Sequence, residues 1–259
     1  MQMNYDKWLC IGTDKRLSTC SEMLAERGYE SYHIATDDVT EQLVERIKEL
    51  SPQHIVFPVL QLKGTLSPTL LTQGTQLYTG VVSDDWLAPF KETGFTVHSY
   101  LKDEQFIWQN ARLTAEGFVH DYYARVKRQL AGTHFYVAGF GKVGKMTAHV
   151  LASLGSNVTV IARSATQLGE AAALGYQVKP LTNDCIPNEG NFINTIPAQW
   201  FSVSENSKLF IYDLASAPGC LKKNLAPEYY TVLLGLPGKH FPVDAAAALA
   251  DALERMYRR

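Results

Sequence analysis

The strongest structural signal in the chain is FYVAGFGKVGKMTAHVLASLGSNVTVIARS, residues 135–164. An apolar strand leads into the glycine pattern Gly139-Phe140-Gly141-Lys142-Val143-Gly144, and a helical segment and a second apolar strand follow. This context predicts a dinucleotide-binding turn: the first glycine makes the tight turn, the second admits a pyrophosphate, and the third lets the helix pack on the strand. The helix N-terminus would bind the phosphates through its N–H groups. A structural turn without a ligand is the alternative.

The end of the second strand of this unit bears on the choice of nucleotide. Units that bind NAD carry Asp or Glu about 20 residues after the glycine turn, where the carboxylate bonds the ribose 2′-OH. This chain has Arg163 and Ser164 there. A guanidinium can bind a 2′-phosphate through paired, charge-assisted hydrogen bonds. NADP(H) is therefore predicted over NAD(H), with a solvated surface arginine as the alternative.

Short apolar segments alternate with helical patterns through the whole chain. Alternation of this kind predicts parallel sheets covered by helices. Strands are predicted at 8–13, 30–34, 54–59, 77–82 and 95–100, and again at 135–138, 157–162, 176–181, 191–196, 208–214 and 230–236. The predicted fold class is α/β, with an N-terminal parallel-sheet lobe over 1–105, a long interlobe helix over 106–131 that is intact or broken near 113–117, a dinucleotide-binding lobe over 132–242, and a C-terminal helix over 243–259.

Loops that follow the strands of the second lobe are expected to face the cofactor, because ligands lie beyond the carboxyl ends of parallel strands. Asn194 and Thr195 lie in one such loop, and Asp213 begins another. Glu116 and Asp213 are the candidates for acid–base chemistry. For Asp213 the alternative is a structural carboxylate that caps its loop by accepting backbone N–H bonds.

Composition argues against several classes of protein. Hydrophobic residues make up 46% and charged residues 19% of the chain, as is typical of a globular protein, and a net charge of −2 offers no basic surface for nucleic acid. No apolar run approaches the roughly 18 residues of a membrane span. Residues 1–12 lack the pattern of a secretory signal, so a cytoplasmic protein without a membrane partner is expected.

Cysteine and histidine spacings predict no metal site. Cys10, Cys20, Cys185 and Cys220 are far apart in sequence, which indicates reduced, buried thiols. None of the seven histidines has the HxxxH or HExxH spacing of a metal site. His120 and Asp121 are neighbours, but adjacent residues on a helix do not face each other.

Five motifs in this order and spacing resemble the A subunit of bacterial dipicolinate synthase: GFGKVG (139–144), VTVIARS (158–164), NTIP (194–197), DLASAPG (213–219) and GLPG (235–238). The resemblance implies a flavodoxin-like N-terminal lobe and a C-terminal Rossmann lobe. It also implies NADP-dependent oxidation of a hydroxylated tetrahydrodipicolinate to dipicolinate, the spore-core chelator, and hence a role in sporulation. A flavoprotein-like B subunit is the implied partner.

Carried over by position, the resemblance implies roles for particular residues. Gly139, Gly141, Gly144, Arg163 and Ser164 would hold the cofactor, with Phe140, Lys142 and Val143 completing the turn. Asn194, Thr195 and Asp213 would line the nicotinamide end, with Asn194 and Asp213 as catalytic candidates beside Glu116. Asn110 and Thr114 would face the small-molecule substrate, and its carboxylates need cations, for which Arg16 and Lys239 are candidates.

Three residues differ from the family's motifs at corresponding positions. Leu113 stands where the motif has proline, Ala217 where it has arginine, and Cys220 where it has glycine. These differences leave two alternatives open. One is an NADP-dependent dehydrogenase or reductase of another small acid or imine, and the other is a non-catalytic NADP(H)-sensing or regulatory module. A homo-oligomer is expected because two-lobed dehydrogenases often dimerise.

Overall fold

The computed structural model describes residues 6–182, 186–203, 207–216, 218–222 and 229–258. The chain divides into two compact units, one formed by Met1–Asn110 with Phe241–Arg259 and the other by Ala111–His240. Each unit contains one parallel sheet with helices around it, so the predicted α/β class is confirmed. Cys185 and Ala217 lie outside the described residues. Where the chain is described, no helix combines the length and apolar character needed to cross a bilayer.

The first unit contains a five-stranded parallel sheet in the order β2-β1-β3-β4-β5. Its elements are β1 (Lys7–Ile11), α1 (Lys15–Glu26), β2 (Glu30–Ile34), α2 (Glu41–Leu50), β3 (His54–Val56), β4 (Gln76–Thr79), α3 (Asp84–Glu92) and β5 (Thr96–Ser99). Strand β1, which pairs with β2 and β3, is largely apolar and buried, as a strand covered on both faces should be. In α2, Thr40 caps the first turn, and Leu43, Ile47 and Leu50 form its buried stripe.

The next helix, α4 (Glu104–Val126), is continuous through 113–117, so the break left open by the sequence does not occur. Gly117 has a different role in this helix. A Cβ atom there would lie 2.9 Å from the Cβ of Leu236, so glycine permits the close approach of the segment that holds Leu236. The boundary between the units falls within α4, between Asn110 and Ala111. The predicted role of this helix in joining two lobes remains a prediction.

The second unit contains a six-stranded parallel sheet in the order β11-β10-β9-β6-β7-β8. Its elements are β6 (His134–Ala138), α5 (Lys142–Ser153), β7 (Asn157–Ala162), α6 (Ala165–Ala173), β8 (Gln177–Pro180), β9 (Glu189–Asn194), β10 (Lys208–Asp213), β11 (Tyr230–Val232) and α7 (Leu236–His240). The chain runs outward from β6 to β8 and returns on the other side through β9. This reversal creates a crevice at the carboxyl ends of β6 and β9.

The C-terminal helix, α8 (Pro242–Tyr257), belongs to the first unit. It packs on α1 with a face rich in alanine, and Leu249 and Leu253 extend this face into the core around Trp8. Small side chains let the two helices approach closely. The Arg255 guanidinium bonds the buried Asp103 carboxylate at 2.6 Å, which fixes α8 to the segment before α4.

Candidate functional site

The three glycines of the turn after β6 have different surroundings. Gly139 has φ of +92°, and a Cβ atom there would lie 2.5 Å from Thr195 Oγ1. A Cβ atom at Gly144 would lie 2.2 Å from the carbonyl oxygen of Gly139. At Gly141, a Cβ atom would have no neighbour within 4 Å. The turn therefore needs glycine at positions 139 and 144 in order to close. At Gly141, by contrast, the space beside the backbone is open and could admit a pyrophosphate.

The start of α5 is arranged to receive an anion. The N-cap residue is Gly141, so no side chain caps the helix. Uncapped N–H groups and the positive dipole end of a helix favour phosphate. Thr195 lies behind the turn, where its N–H and hydroxyl donate to the carbonyl oxygen of Ala138 at 2.9 and 2.8 Å. These bonds join the loop after β9 to the end of β6, at the crevice.

The side chains of the other residues in the turn, unlike the open position at Gly141, are buried or partly buried. Phe140 is buried in the core of the second unit, and Val143 packs against the same core. Both anchor the turn. Lys142 is partly buried, and its neighbour Lys145 forms an ion pair with Glu170 at 2.7 Å. The residues of the turn thus fit a dinucleotide, with backbone facing the ligand and side chains holding the turn in place.

Arg163 lies immediately beyond the carboxyl end of β7, and its side chain is exposed. It makes no ion pair with any residue of the described part of the chain. Ser164 is engaged locally, because its hydroxyl caps α6 by accepting from the N–H of Gln167 at 3.4 Å. An exposed, uncommitted guanidinium at this strand end is available to a phosphate on the nucleotide ribose.

Asp213, at the end of β10, is fully buried and accepts four hydrogen bonds. Oδ1 accepts from Asn194 Nδ2 at 2.8 Å and from the N–H of Ala215 at 3.1 Å. Oδ2 accepts from the N–H of Cys220 and the hydroxyl of Tyr230, both at 2.7 Å. Two of these donors are backbone groups of the following loop. The contacts are those of a loop-capping carboxylate, the alternative that the sequence left open.

Asn194 is equally engaged. It is fully buried, and its amide donates to Asp213 and to the carbonyl oxygen of Ile196, while its Oδ1 accepts from Trp200 Nε1 at 3.1 Å. Burial, followed by the hydrogen bond to Asp213, raises the pKa of the Tyr230 hydroxyl, so this donor keeps its proton at neutral pH. The network holds the loops after β9 and β10 in place at the crevice.

The predicted substrate residues and the catalytic candidate Glu116 are divided between the two units. Arg16 and Asn110 lie in the first unit, and Thr114, Glu116 and Lys239 in the second. Thr114 is buried on α4. Glu116 is half-buried on the same helix and accepts a bond of 2.9 Å from Arg112 Nε.

Both predicted cations already bind a carboxylate of their own unit. Arg16 is largely buried and bonds both oxygens of Asp14, with Nε at 3.0 and 3.1 Å. Burial alone would raise the pKa of Asp14, but the Arg16 guanidinium outweighs it and the pKa is lowered. Lys239 Nζ lies 3.1 Å from an oxygen of Asp121. Both cations therefore differ from Arg163, which forms no ion pair within the described ranges of the chain.

The structure brings together a triad that the sequence did not predict. His120, Asp121 and His240 each place one potential ligand atom within 4.8 Å of the others. His120 and Asp121 are on α4, and His240 ends α7. The spacing rules miss this group because one member comes from a separate helix far along the chain. The contacts of Trp200 and Tyr230 with the Asn194–Asp213 pair also match no sequence motif.

The fold and the glycine turn define a class: two α/β units, of which the second has the strand order and the glycine turn of a Rossmann domain. Solved dehydrogenases share this fold at TM-scores of 0.60, with sequence identities of 12–14%. No protein-family model matches the chain.

Within this class, the resemblance to the A subunit of dipicolinate synthase is confirmed. That protein of Bacillus subtilis (strain 168) is 31% identical over 158 residues, which are 57% of this chain and 52% of the relative, so the match spans about half of its length. The crystal structure of the same dipicolinate synthase polypeptide from Bacillus subtilis has a TM-score of 0.80 at 21% identity, covering 99% of this chain and 97% of that one. Its counterpart from Bacillus halodurans has a TM-score of 0.73 at 22% identity, covering 97% of each chain.

Proposed function

We propose that this protein is an oxidoreductase that uses a nicotinamide nucleotide, bound at the glycine turn of the second unit. The observation that carries the proposal is the contrast among the three glycines. Gly139 and Gly144 are required by close neighbours, whereas Gly141 faces open space at an uncapped helix N-terminus. A turn with a purely structural role would not need open space at Gly141 beside an uncapped helix N-terminus. The similarity to the A subunit of dipicolinate synthase supports the same nucleotide-dependent chemistry.

NADP(H) is the proposed nucleotide. Arg163 is exposed at the carboxyl end of β7, where a carboxylate would favour NAD(H) instead. A phosphate on the ribose would give this guanidinium an anionic partner, which it does not find among the described residues. Gly139, Gly141 and Gly144 would hold the pyrophosphate, and Thr195 would lie beside the turn. Bound there, the nucleotide supplies hydride transfer.

The proposed substrate is a hydroxylated tetrahydrodipicolinate, which would form dipicolinate by losing one water molecule, one hydride to the nucleotide and one proton. The proposed partner is a flavoprotein-like B subunit. Among the candidate catalytic residues, Glu116 is the one whose carboxylate is partly exposed, and Arg112 orients it. We assign Asn194 and Asp213 a positioning role, because their hydrogen-bonding groups are already used to hold the loops at the crevice. Asn110 and Thr114 stay candidate substrate contacts.

One observation favours a second candidate function. Arg16 and Lys239, the candidate cations for the substrate's carboxylates, are each paired with an acidic side chain of their own unit. At either cation, a substrate carboxylate would have to displace an existing ion pair. An NADP-dependent dehydrogenase or reductase of another small acid or imine need not use either cation.

A product assay separates these functions. The purified protein is incubated with NADP⁺ and the hydroxylated tetrahydrodipicolinate, with and without the B subunit, and NADPH and dipicolinate are measured together. We expect the two products in equal amounts, and neither of them with Gly141→Ala, whose side chain would occupy the space for the pyrophosphate. Nucleotide binding without dipicolinate, but with turnover of another small acid or imine, would support the second function. Binding without any turnover would leave the non-catalytic, NADP(H)-sensing alternative.

A further inference from the structure

We propose that His120, Asp121 and His240 form a binding site for a divalent transition-metal ion, and that Zn²⁺ suits it best. The site lies within the second unit, and nothing in the nucleotide chemistry proposed above requires it. Two imidazoles and one carboxylate are ligands that zinc accepts readily, and three protein ligands leave a fourth position for water or another small ligand.

The positions of the ligand atoms fit such an ion. His240 Nε2 lies 3.0 Å and His120 Nδ1 3.9 Å from Asp121 Oδ1. Tetrahedral zinc with bonds of about 2.0–2.1 Å places its ligand atoms roughly 3.3 Å apart. The observed separations are on both sides of that value. Small rotations of the side chains would bring the three atoms onto one ion, and His120, whose side chain is 60% exposed, can rotate most easily.

The backbone around the triad is held closely. Two ligands are consecutive residues of the long helix α4, and the third is the last residue of α7. A Cβ atom at Gly117 would lie 2.9 Å from Leu236 Cβ and 3.4 Å from His240 Cδ2, so the absence of a side chain there lets α7 approach α4. The two imidazole rings are 4.3 Å apart between centroids. Asp121 and His240 are mostly buried and His120 opens to solvent, which gives an ion a route in.

Lys239 is the competitor for this site. Its ammonium group lies 3.1 and 3.2 Å from the two oxygens of Asp121, so it neutralises the carboxylate that would bind the ion. The Lys239 side chain is 53% exposed and can move into water when a cation arrives. Removing the ammonium group should therefore strengthen metal binding, an effect not expected if the triad only holds α7 against α4.

Calorimetric titration of the tag-free, full-length protein with Zn²⁺ tests the site. We expect one saturable ion per chain, and affinity reduced by roughly tenfold or more in His120→Ala and in His240→Ala, since even outer-shell substitutions cost about 10- to 100-fold. Lys239→Met should bind more tightly than the wild type. His149→Ala removes an exposed histidine elsewhere in the same unit and should leave the affinity unchanged.

Co²⁺ provides a second readout, because tetrahedral coordination gives it an intense visible absorption. This band should appear with the wild type and be lost with His120→Ala, a substitution at an exposed position that the fold tolerates. The proposal is overturned if binding is not saturable, or if His120→Ala binds as well as His149→Ala. It is also overturned if Lys239→Met fails to strengthen binding. The triad would then be an ion cluster that fixes α7 to α4.

Discussion

At the scale of single residues, two glycines of the turn have different roles: Gly144 is required for packing, whereas Gly141 is proposed to make room for the nucleotide. Gly144 faces the carbonyl oxygen of Gly139 across a gap that a methyl group cannot enter, whereas Gly141 faces open space with an extended backbone that alanine can adopt. The same substitution at these two positions should therefore have opposite effects on stability. Overpacking against a backbone atom costs about 1–3 kcal/mol. Alanine in place of an unstrained glycine stabilises by about 0.4–1 kcal/mol through the unfolded chain.

We therefore expect Gly144→Ala to lower the free energy of unfolding by about 1–3 kcal/mol and Gly141→Ala to leave it unchanged or slightly higher. Gly141→Ala should nevertheless bind the nucleotide more weakly. Urea unfolding without nucleotide measures the first effect, and titration with NADPH the second. Equal destabilisation by both substitutions would contradict the open space at Gly141, and unchanged NADPH affinity in Gly141→Ala would contradict a role for that space in binding.

At the scale of elements, α8 provides a matched pair of substitutions. Leu253 is fully buried in the core of the first unit, whereas the Val243 side chain, on the same helix, is 59% exposed. Leu253→Ala should lower the free energy of unfolding by about 2–5 kcal/mol, because it removes apolar contacts and leaves a cavity. Val243→Ala should change it by about 0.5 kcal/mol or less. Similar urea midpoints for the two variants would contradict the place of α8 in this core.

The elements also show how far the sequence could predict the fold. Strands β2 and β7 have the predicted bounds, because the apolar patterns and turn residues that define them are local. The glycine turn could also be predicted from the local sequence. The membership of α8 in the first unit, and the continuous course of α4 past Gly117, depend on contacts with residues far along the chain. Local patterns contain no information about such contacts.

The candidate site also contains residues that the sequence could identify and contacts that only the structure shows. Gly141 and Arg163 could be identified from position after a strand. Asp213 could be placed at the carboxyl end of β10. Its four hydrogen-bond donors come from the loop that follows it and from strands β9 and β11, so only the structure shows that both carboxylate oxygens are already bonded. The pairing of Arg16 with Asp14 was equally hidden, although the two residues are close in sequence, because the pair depends on side-chain orientation.

At the scale of the whole molecule, both units contain a parallel sheet, and either could bind a ligand at its carboxyl ends. We expect the nucleotide to bind the second unit. Amide hydrogen exchange with and without NADPH should show slower exchange at residues 139–145, 163–167 and 195–196. Exchange at residues 12–16, after β1, should not change. Protection confined to the first unit would contradict the placement of the nucleotide on the second sheet.

The most direct test of the central claim is calorimetric titration with NADPH and NADH, on the wild type and on Arg163→Ala. A charge-assisted hydrogen bond contributes about 1.5–3 kcal/mol, so we expect the wild type to bind NADPH roughly 10- to 100-fold more tightly than NADH. Arg163→Ala should abolish this preference by weakening NADPH binding alone. If neither nucleotide binds the wild type, the glycine turn is structural and the proposed oxidoreductase function is contradicted. Equal affinity for both nucleotides would contradict the assignment of NADP(H).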